Sequence, residues 1–290
     1  MIAQAIVGPG GRAEHLRLLR STSLIITSSE QLPGSGGEDL FIVLGGDGTI
    51  HRFLPELVRA QKPVLVVPCG SGNDLARALG IRSVAAATTL ARDFVHGNAA
   101  IRQIDVGIVT DSAGKETPFC CTAGVGLDAA AGQFANRMPR WLRGHGGYLI
   151  AAMNAVLTNP EMELTIGAAN GSESKAIEQT SCLFTIANTP SFGGGLRIAP
   201  EARLDDGQFD CILADAMTKP RLARASLSLL RGTHLCLPEV HFMRVTTVRI
   251  ESSPSANVYA DGEFVCETPC EVRLAPAALR VLSFVTGSSN

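Results

Sequence analysis

Up to about Ile104, short apolar runs alternate with longer stretches whose apolar positions recur every three or four residues. Leu40–Leu44 and Val64–Val67 are unbroken apolar runs, the pattern of strands covered on both faces. Ala3–Val7 and Leu24–Thr27 read as two further strands, the first closed by Gly8-Pro9-Gly10-Gly11. Between them Arg12–Arg20 carries leucines at 16, 18 and 19 and predicts a helix. Ile50, Phe53, Leu54, Leu57 and Val58 are spaced for a second helix, Asp74–Leu79 opens a third, and Ser83–His96 is amphipathic. Strand and helix in alternation imply parallel βαβ units. Beyond Ile104 the pattern changes. Phe119–Thr122, Glu163–Ile166, Cys182–Ala187, Phe209–Leu213 and Val245–Glu251 are strand-like runs broken by Gly, Pro and Asp, interrupted by one helical stretch over Gly147–Leu157. The chain therefore reads as an α/β domain over residues 1–105 and a mostly antiparallel, β-rich domain over 106–274.

Two of the predicted strands deliver candidate chemistry. The run Leu40–Leu44 leads into Gly45-Gly46-Asp47-Gly48-Thr49 at a helix start. Glycines there let the backbone turn sharply and approach a polyanion with no Cβ in the way. The amides at a helix start favour phosphate, Asp47 supplies a carboxylate for a divalent cation, and Thr49 adds a hydroxyl. Val64–Val67 leads likewise into Pro68-Cys69-Gly70-Ser71-Gly72-Asn73-Asp74, another glycine turn and helix entry. Asn73 or Asp74 alone would be a routine helix cap. Two such loops on successive parallel strands lie side by side at the carboxyl edge of a sheet, where open α/β sheets bind ligands.

In order and spacing these segments resemble the catalytic domain shared by bacterial diacylglycerol kinases, sphingosine kinases and ceramide kinases. The second motif matches PxGTxNDxAR, with Ser71 for the usual Thr. The resemblance continues through Ile104-Asp105-Val106-Gly107, Gly124–Asp128, Gly193–Pro200 with Asp205-Asp206-Gly207, and Ala260-Asp261-Gly262-Glu263. It implies an NAD-kinase/diacylglycerol-kinase-like fold: an α/β nucleotide-binding domain, to which residues 275–290 return, and an antiparallel sandwich-like acceptor-binding domain. It implies ATP and Mg²⁺ as cofactors, and a lipid acceptor reached by transient, peripheral contact with a membrane surface. Carried over position by position, Gly45–Thr49 with Gly70, Ser71, Gly72 and Asn73 resemble the ATP-binding residues. Asp47, Asn73, Asp74 and Asp105 resemble the network around the catalytic Mg²⁺. Asp206, with the carbonyls of Arg203 and Gln208, resembles a structural Mg²⁺ site. Asp261 and Glu263 resemble the pair that takes the acceptor's hydroxyl proton. The chain departs from the family at Val7–Gly11, where most bacterial members read NPxSG, and at Gln31–Gly37, which stands for a helix.

Read from the residues alone, Asp261-Gly262-Glu263 places two carboxylates two positions apart, on one face if the chain is extended. Close like charges raise one pKa and so favour a general base; the same three residues also suit a hairpin turn. Asp206-Gly207 reads equally as a plain turn. The formal net charge of -2 argues against a nucleic-acid binder. Apolar residues at 46% and charged residues at 18% support a substantial core. The eight cysteines are scattered without a CxxC pair and suit a reducing, cytoplasmic setting. No apolar run approaches the length of a spanning helix, so a lipid acceptor would be met from the inner face of the membrane. Arg137, Arg140 and Arg143 around Trp141 are candidates for that contact, against a reading as a solvated loop. These features leave room for a homodimer. An NAD kinase and a non-catalytic lipid- or nucleotide-binding relative are the alternative readings.

Overall fold

The computed structural model describes residues 1–29, 37–127, 161–171 and 173–284. The helix expected over Gly147–Leu157, the arginines around Trp141, and Asp128 lie outside the described residues. The chain divides into two units, Met1–Asp105 together with the chain from Pro276 on, and Val106–Ala275. It crosses from the first to the second within β5 (Ala100–Thr110) and returns within β15 (Cys270–Ser283).

The first unit is built on a parallel sheet. Its strands are β1 (Ile2–Val7), β2 (Ile25–Ser29), β3 (Leu40–Gly45) and β4 (Val64–Pro68), with the end of β15 beside β4. The order is β15-β4-β3-β1-β2, and every pairing is parallel. All six residues of β3 are buried, as a central strand covered on both faces requires. Helices α1 (Ala13–Arg20), α2 (Asp47–Ala60), α3 (Asp74–Ala78) and α4 (Val84–Val95) connect the strands. Ile50, Leu54 and Leu57 of α2 and Leu90 and Ala91 of α4 supply the buried faces. Ser83 caps α4 by accepting from the amide of Ala86 at 3.1 Å. The returning segment is tied down by side chains. Gln61 donates to the carbonyl of Ala278 at 3.0 Å, Arg280 donates to the carbonyl of Gln61, and the amide of Ala277 donates to Asp105 at 2.8 Å.

The second unit is antiparallel. Strands β7 (Thr122–Gly126), β8 (Met162–Asn170), β9 (Glu173–Ala187), β12 (Thr247–Ser253), β13 (Asn257–Ala260) and β14 (Glu263–Glu267) run in the order β14-β13-β7-β9-β8-β12-β15. Strand β10 (Phe209–Asp215) pairs with β9 and β11 (Val240–Val245), and β6 (Glu116–Phe119) pairs with the end of β5. Along β8 the residues Met162, Leu164, Ile166 and Ala168 are buried while those between them are exposed, the period of a sheet with one wet face. The core joins them to Phe184, Ile186, Val248, Ile250 and the stacked rings of Phe119 and Phe209, 5.8 Å apart.

Helix α5 (Lys219–Arg231) corrects the reading of this half, which foresaw no helix there. Pro220 suits its first turn, and Gly232, at φ 69°, ends it. Leu222, Ala225 and Leu229, at i, i+3 and i+7, turn into the protein.

His234, 4% exposed, follows this helix. Its Nε2 donates to the carbonyl of Ile198 at 2.8 Å, which leaves the buried Nδ1 as a bare acceptor with no partner among the described residues. Burial pushes its pKa down, against the hydrogen bond that raises it. The folded state therefore prefers the neutral ring more than the unfolded chain does. This contribution is complete above the unfolded pKa of about 6.5 and is lost as pH falls through that value toward the folded one. His234→Gln, which keeps a donor and cannot titrate there, is expected to flatten the fall in urea midpoint between pH 7 and pH 5. An unchanged slope would remove His234 from the acid response.

Candidate functional site

The turns that follow β3 and β4 are joined backbone to backbone. The amide of Cys69 donates to the carbonyl of Gly45 at 3.0 Å. A Cβ on Gly46 would stand 2.8 Å from the Cα of Gly70, and one on Gly70 would overlap Gly46 in return. Neither position accepts a side chain unless one loop moves away from the other. The turn after β1 joins them: the amide of Gly8 donates to the carbonyl of Leu44 at 2.8 Å, and a Cβ on Gly10 would overlap the carbonyl oxygen of Cys69. Three glycine turns thus meet at one carboxyl edge of the parallel sheet.

Polar side chains hold this arrangement. Asp47, the first residue of α2, accepts from the amides of Asp74 and Leu75 at 3.0 and 3.1 Å, so one loop's carboxylate caps the other loop's helix. Asn73 sits at φ 55°, a conformation asparagine tolerates better than most residues. Its amide closes its own turn, accepting from the amide of Gly70 at 2.8 Å and donating to that residue's carbonyl at 2.7 Å. Asp74, 3% exposed, forms an ion pair with Arg77, which also donates to the carbonyl of Gly72. The side chain of Thr49 lies against Gly8 and Gly45, and Ser71 is exposed beside the second turn. Behind the turns, Cys69 Sγ and His15 Nδ1 of α1 stand 3.3 Å apart. Burial holds the Cys69 thiol above its usual range, opposed by the positive charge of Arg12.

Asp105 takes part elsewhere in the same unit, receiving the amide of Ala277. Asp47, Asp74 and Asp105 are thus each engaged with protein groups. Among the described residues no group of three or more His, Cys, Asp or Glu side chains is gathered around a metal position.

In the second unit, Asp261 and Gly262 form the two-residue turn between β13 and β14, with φ of 50° and 86°. Positive φ at both positions is the mark of a tight hairpin turn, for which Asp-Gly is a favoured pair. This corrects the extended geometry expected of Asp261-Gly262-Glu263, so the two carboxylates do not share a face by strand pleating. They differ in surroundings. Asp261 accepts from three consecutive amides, Cys120 at 2.9 Å, Cys121 at 2.7 Å and Thr122 at 3.2 Å. Its own amide donates to the carbonyl of Thr122. Glu263 is exposed at the start of β14. Asp206 is exposed and accepts from the amide of Gln208 at 3.2 Å, an Asx-type turn, with Arg203 exposed nearby in sequence.

Sequence reasoning missed two contributors. It read Val7–Gly11 as a departure from NPxSG that reduces the cleft, and did not foresee that Gly8 and Gly10 pack directly against the other two turns. The closeness of His15 to Cys69 has no local signature, because the residues are 54 positions apart.

Residues 26–109 match the diacylglycerol kinase catalytic domain, and residues 121–283 match the YegS C-terminal NAD kinase beta sandwich-like domain. A diacylglycerol kinase of Mycobacterium tuberculosis is 35% identical over 248 residues, which cover 85% of this chain and 77% of that protein. The crystal structure of a putative diacylglycerol kinase from Bacillus anthracis has a TM-score of 0.79 at 18% identity, covering 99% of this chain and 96% of that one. An NAD kinase from Archaeoglobus fulgidus, in complex with ATP, matches with a TM-score of 0.55 at 15% identity, covering 99% of this chain and 94% of the other. At these identities the two structures speak to the fold.

Proposed function

Because this chain belongs to the diacylglycerol kinase family, we propose that it transfers the γ-phosphoryl group of Mg·ATP to a hydroxyl of a lipid acceptor, with diacylglycerol the first candidate. The observation that carries this reading is the three-turn glycine cradle closed by Asp47. Side-chain-free turns at helix entries give a triphosphate close access to backbone amides and to the positive ends of helix dipoles. Gly45, Gly46, Gly48, Gly70 and Gly72 supply the surface, Thr49 and Ser71 the hydroxyls, and Asn73 the rigidity of the second turn. Asp47 fixes the spacing of the loops.

The donor set fits a magnesium ion that arrives with its nucleotide. Mg²⁺ in phosphoryl-transfer sites is held by substrate phosphates and one or two carboxylates, keeping several waters. A carboxylate has about four acceptor sites, so two amide bonds do not disqualify Asp47. Asp74 and Asp105 would act beside it rather than as a prebuilt cage. When bound, the ion would neutralise charge on the transferring phosphoryl group.

On the acceptor side, Glu263 is the better general base in this reading. Asp261 is committed to three amides, and its part is to position the β13–β14 turn that carries Glu263. The hydroxyl oxygen attacks the γ-phosphorus, the bond to the β–γ bridging oxygen breaks, ADP leaves, and the hydroxyl proton passes to the glutamate. The test is incubation of the whole chain with γ-labelled ATP and a panel of diacylglycerol, ceramide, sphingoid base and NAD. Label appearing in diacylglycerol supports the proposal. Label in NAD alone would replace it with the nucleotide acceptor that the fold also accommodates, and label in none would overturn it.

A further inference from the structure

Helix α5 has an outer face that an ordinary solvated helix does not have. Its thirteen residues carry Lys219, Arg221, Arg224 and Arg231 and no Asp or Glu, in a chain of net charge -2. A solvated surface helix normally mixes both signs at i, i+4 spacing. Arg221 is neutralised by Glu239. Among the described residues, Lys219, Arg224 and Arg231 make no ion pair.

The three residues Arg224, Leu227 and Arg231 stand at i, i+3 and i+7, the same spacing as the inward-packed Leu222, Ala225 and Leu229. They therefore share one face, turned away from the buried set. Leu227 lies between the two cations and is 60% exposed. The hydroxyls of Ser226 and Ser228 donate to the carbonyls of Leu222 and Ala225, so they spend their polarity on the helix itself. On β11, Phe242 is 44% exposed. It shares a strand face with Val240, which packs against the inner side of α5. A second apolar side chain thus lies on the helix-bearing side of the sheet.

From this face we propose that α5 is a docking surface for an anionic lipid bilayer, with Arg224 and Arg231 meeting phosphate headgroups and Leu227 entering the interfacial layer. Its use rests on the lipid-acceptor reading above, since a water-insoluble acceptor must be met at a surface. The chemistry is that of a polybasic interfacial helix: cations attract anionic headgroups, the attraction weakens with salt, and an exposed apolar side chain gains by leaving water. Two such cations and one exposed leucine on a single face give reversible contact rather than anchoring.

The test is co-sedimentation of the full chain with phosphatidylcholine vesicles, with and without phosphatidylglycerol, at low and high salt. Binding is expected to need phosphatidylglycerol and to fade with salt. The double variant Arg224→Gln, Arg231→Gln is expected to bind about thirty-fold more weakly, from the contribution of each cation near an anionic surface. The pair Arg224→Lys, Arg231→Lys is expected to bind like the parent. Both pairs alter exposed positions and should retain the parent's circular dichroism. Equal binding by the parent and the glutamine variant would overturn the proposal. So would a parent that binds no vesicle, which would leave the strip to an acidic protein surface. Phosphoryl transfer to detergent-dispersed diacylglycerol is measured in parallel and should be unchanged in both variants. Vesicle binding without any transfer would strike at the kinase reading and leave the docking face standing.

Discussion

Gly70→Ala is expected to weaken ATP binding by about a hundredfold while the far-ultraviolet circular dichroism stays that of the parent. The new methyl group would press on the backbone of Gly46 rather than on a flexible side chain. The two turns cannot part freely, because Cys69 to Gly45 and Asp47 to Asp74 and Leu75 hold them together. Overpacking typically costs about 1–3 kcal/mol, and a site that cannot relax lies at the upper end. Converted to affinity, this is the hundredfold expected. Titration calorimetry with Mg·ATP is the measurement, with Gly80→Ala as a control. Gly80 follows α3 at a positive φ with open space around it, so its substitution strains backbone without crowding the cradle. Near-parental affinity in Gly70→Ala would remove the close approach of the loops from nucleotide binding.

The second large effect separates two carboxylates that sequence alone treats as a pair. Glu263→Gln is expected to lower kcat by about 10²–10⁴-fold, the range for loss of a general base, with ATP affinity and thermal stability unchanged. Asp261→Asn is expected to act first on stability. The variant would turn an amide NH₂ either toward the amide of Cys120 or toward those of Cys121 and Thr122, where a carboxylate oxygen now accepts, and charge-assisted hydrogen bonds contribute about 1.5–3 kcal/mol each. A melting curve beside a turnover assay distinguishes the two. Loss of kcat in Asp261→Asn at parental stability, with Glu263→Gln fully active, would exchange the roles.

The parts of this site that the sequence displays are those made by neighbours in the chain. An unbroken apolar run such as Leu40–Leu44 admits few folds other than a strand buried on both sides. A glycine turn ending it then falls at the carboxyl edge of a parallel sheet. The glycine turns after Leu40–Leu44 and Val64–Val67 were both legible on this logic. What lay hidden was made by distant partners. Nothing near Gly10 indicates that the carbonyl of Cys69 will rest on it, and nothing near Asp261 announces the amides of Cys120–Thr122. Helix α5 was legible and went unread: Leu222, Ala225 and Leu229 recur at i, i+3 and i+7, with Pro220 in the first turn and Gly232 at the end.

The return of the chain through β15 has a consequence for synthesis. The strand that flanks β4 pairs Val281 with Val64, two residues separated by about three quarters of the chain. A ribosome therefore releases the glycine turns long before it releases the strand that completes their sheet. While the second unit is being translated, β4 waits with an open edge, which an unpaired strand elsewhere can take until β15 arrives.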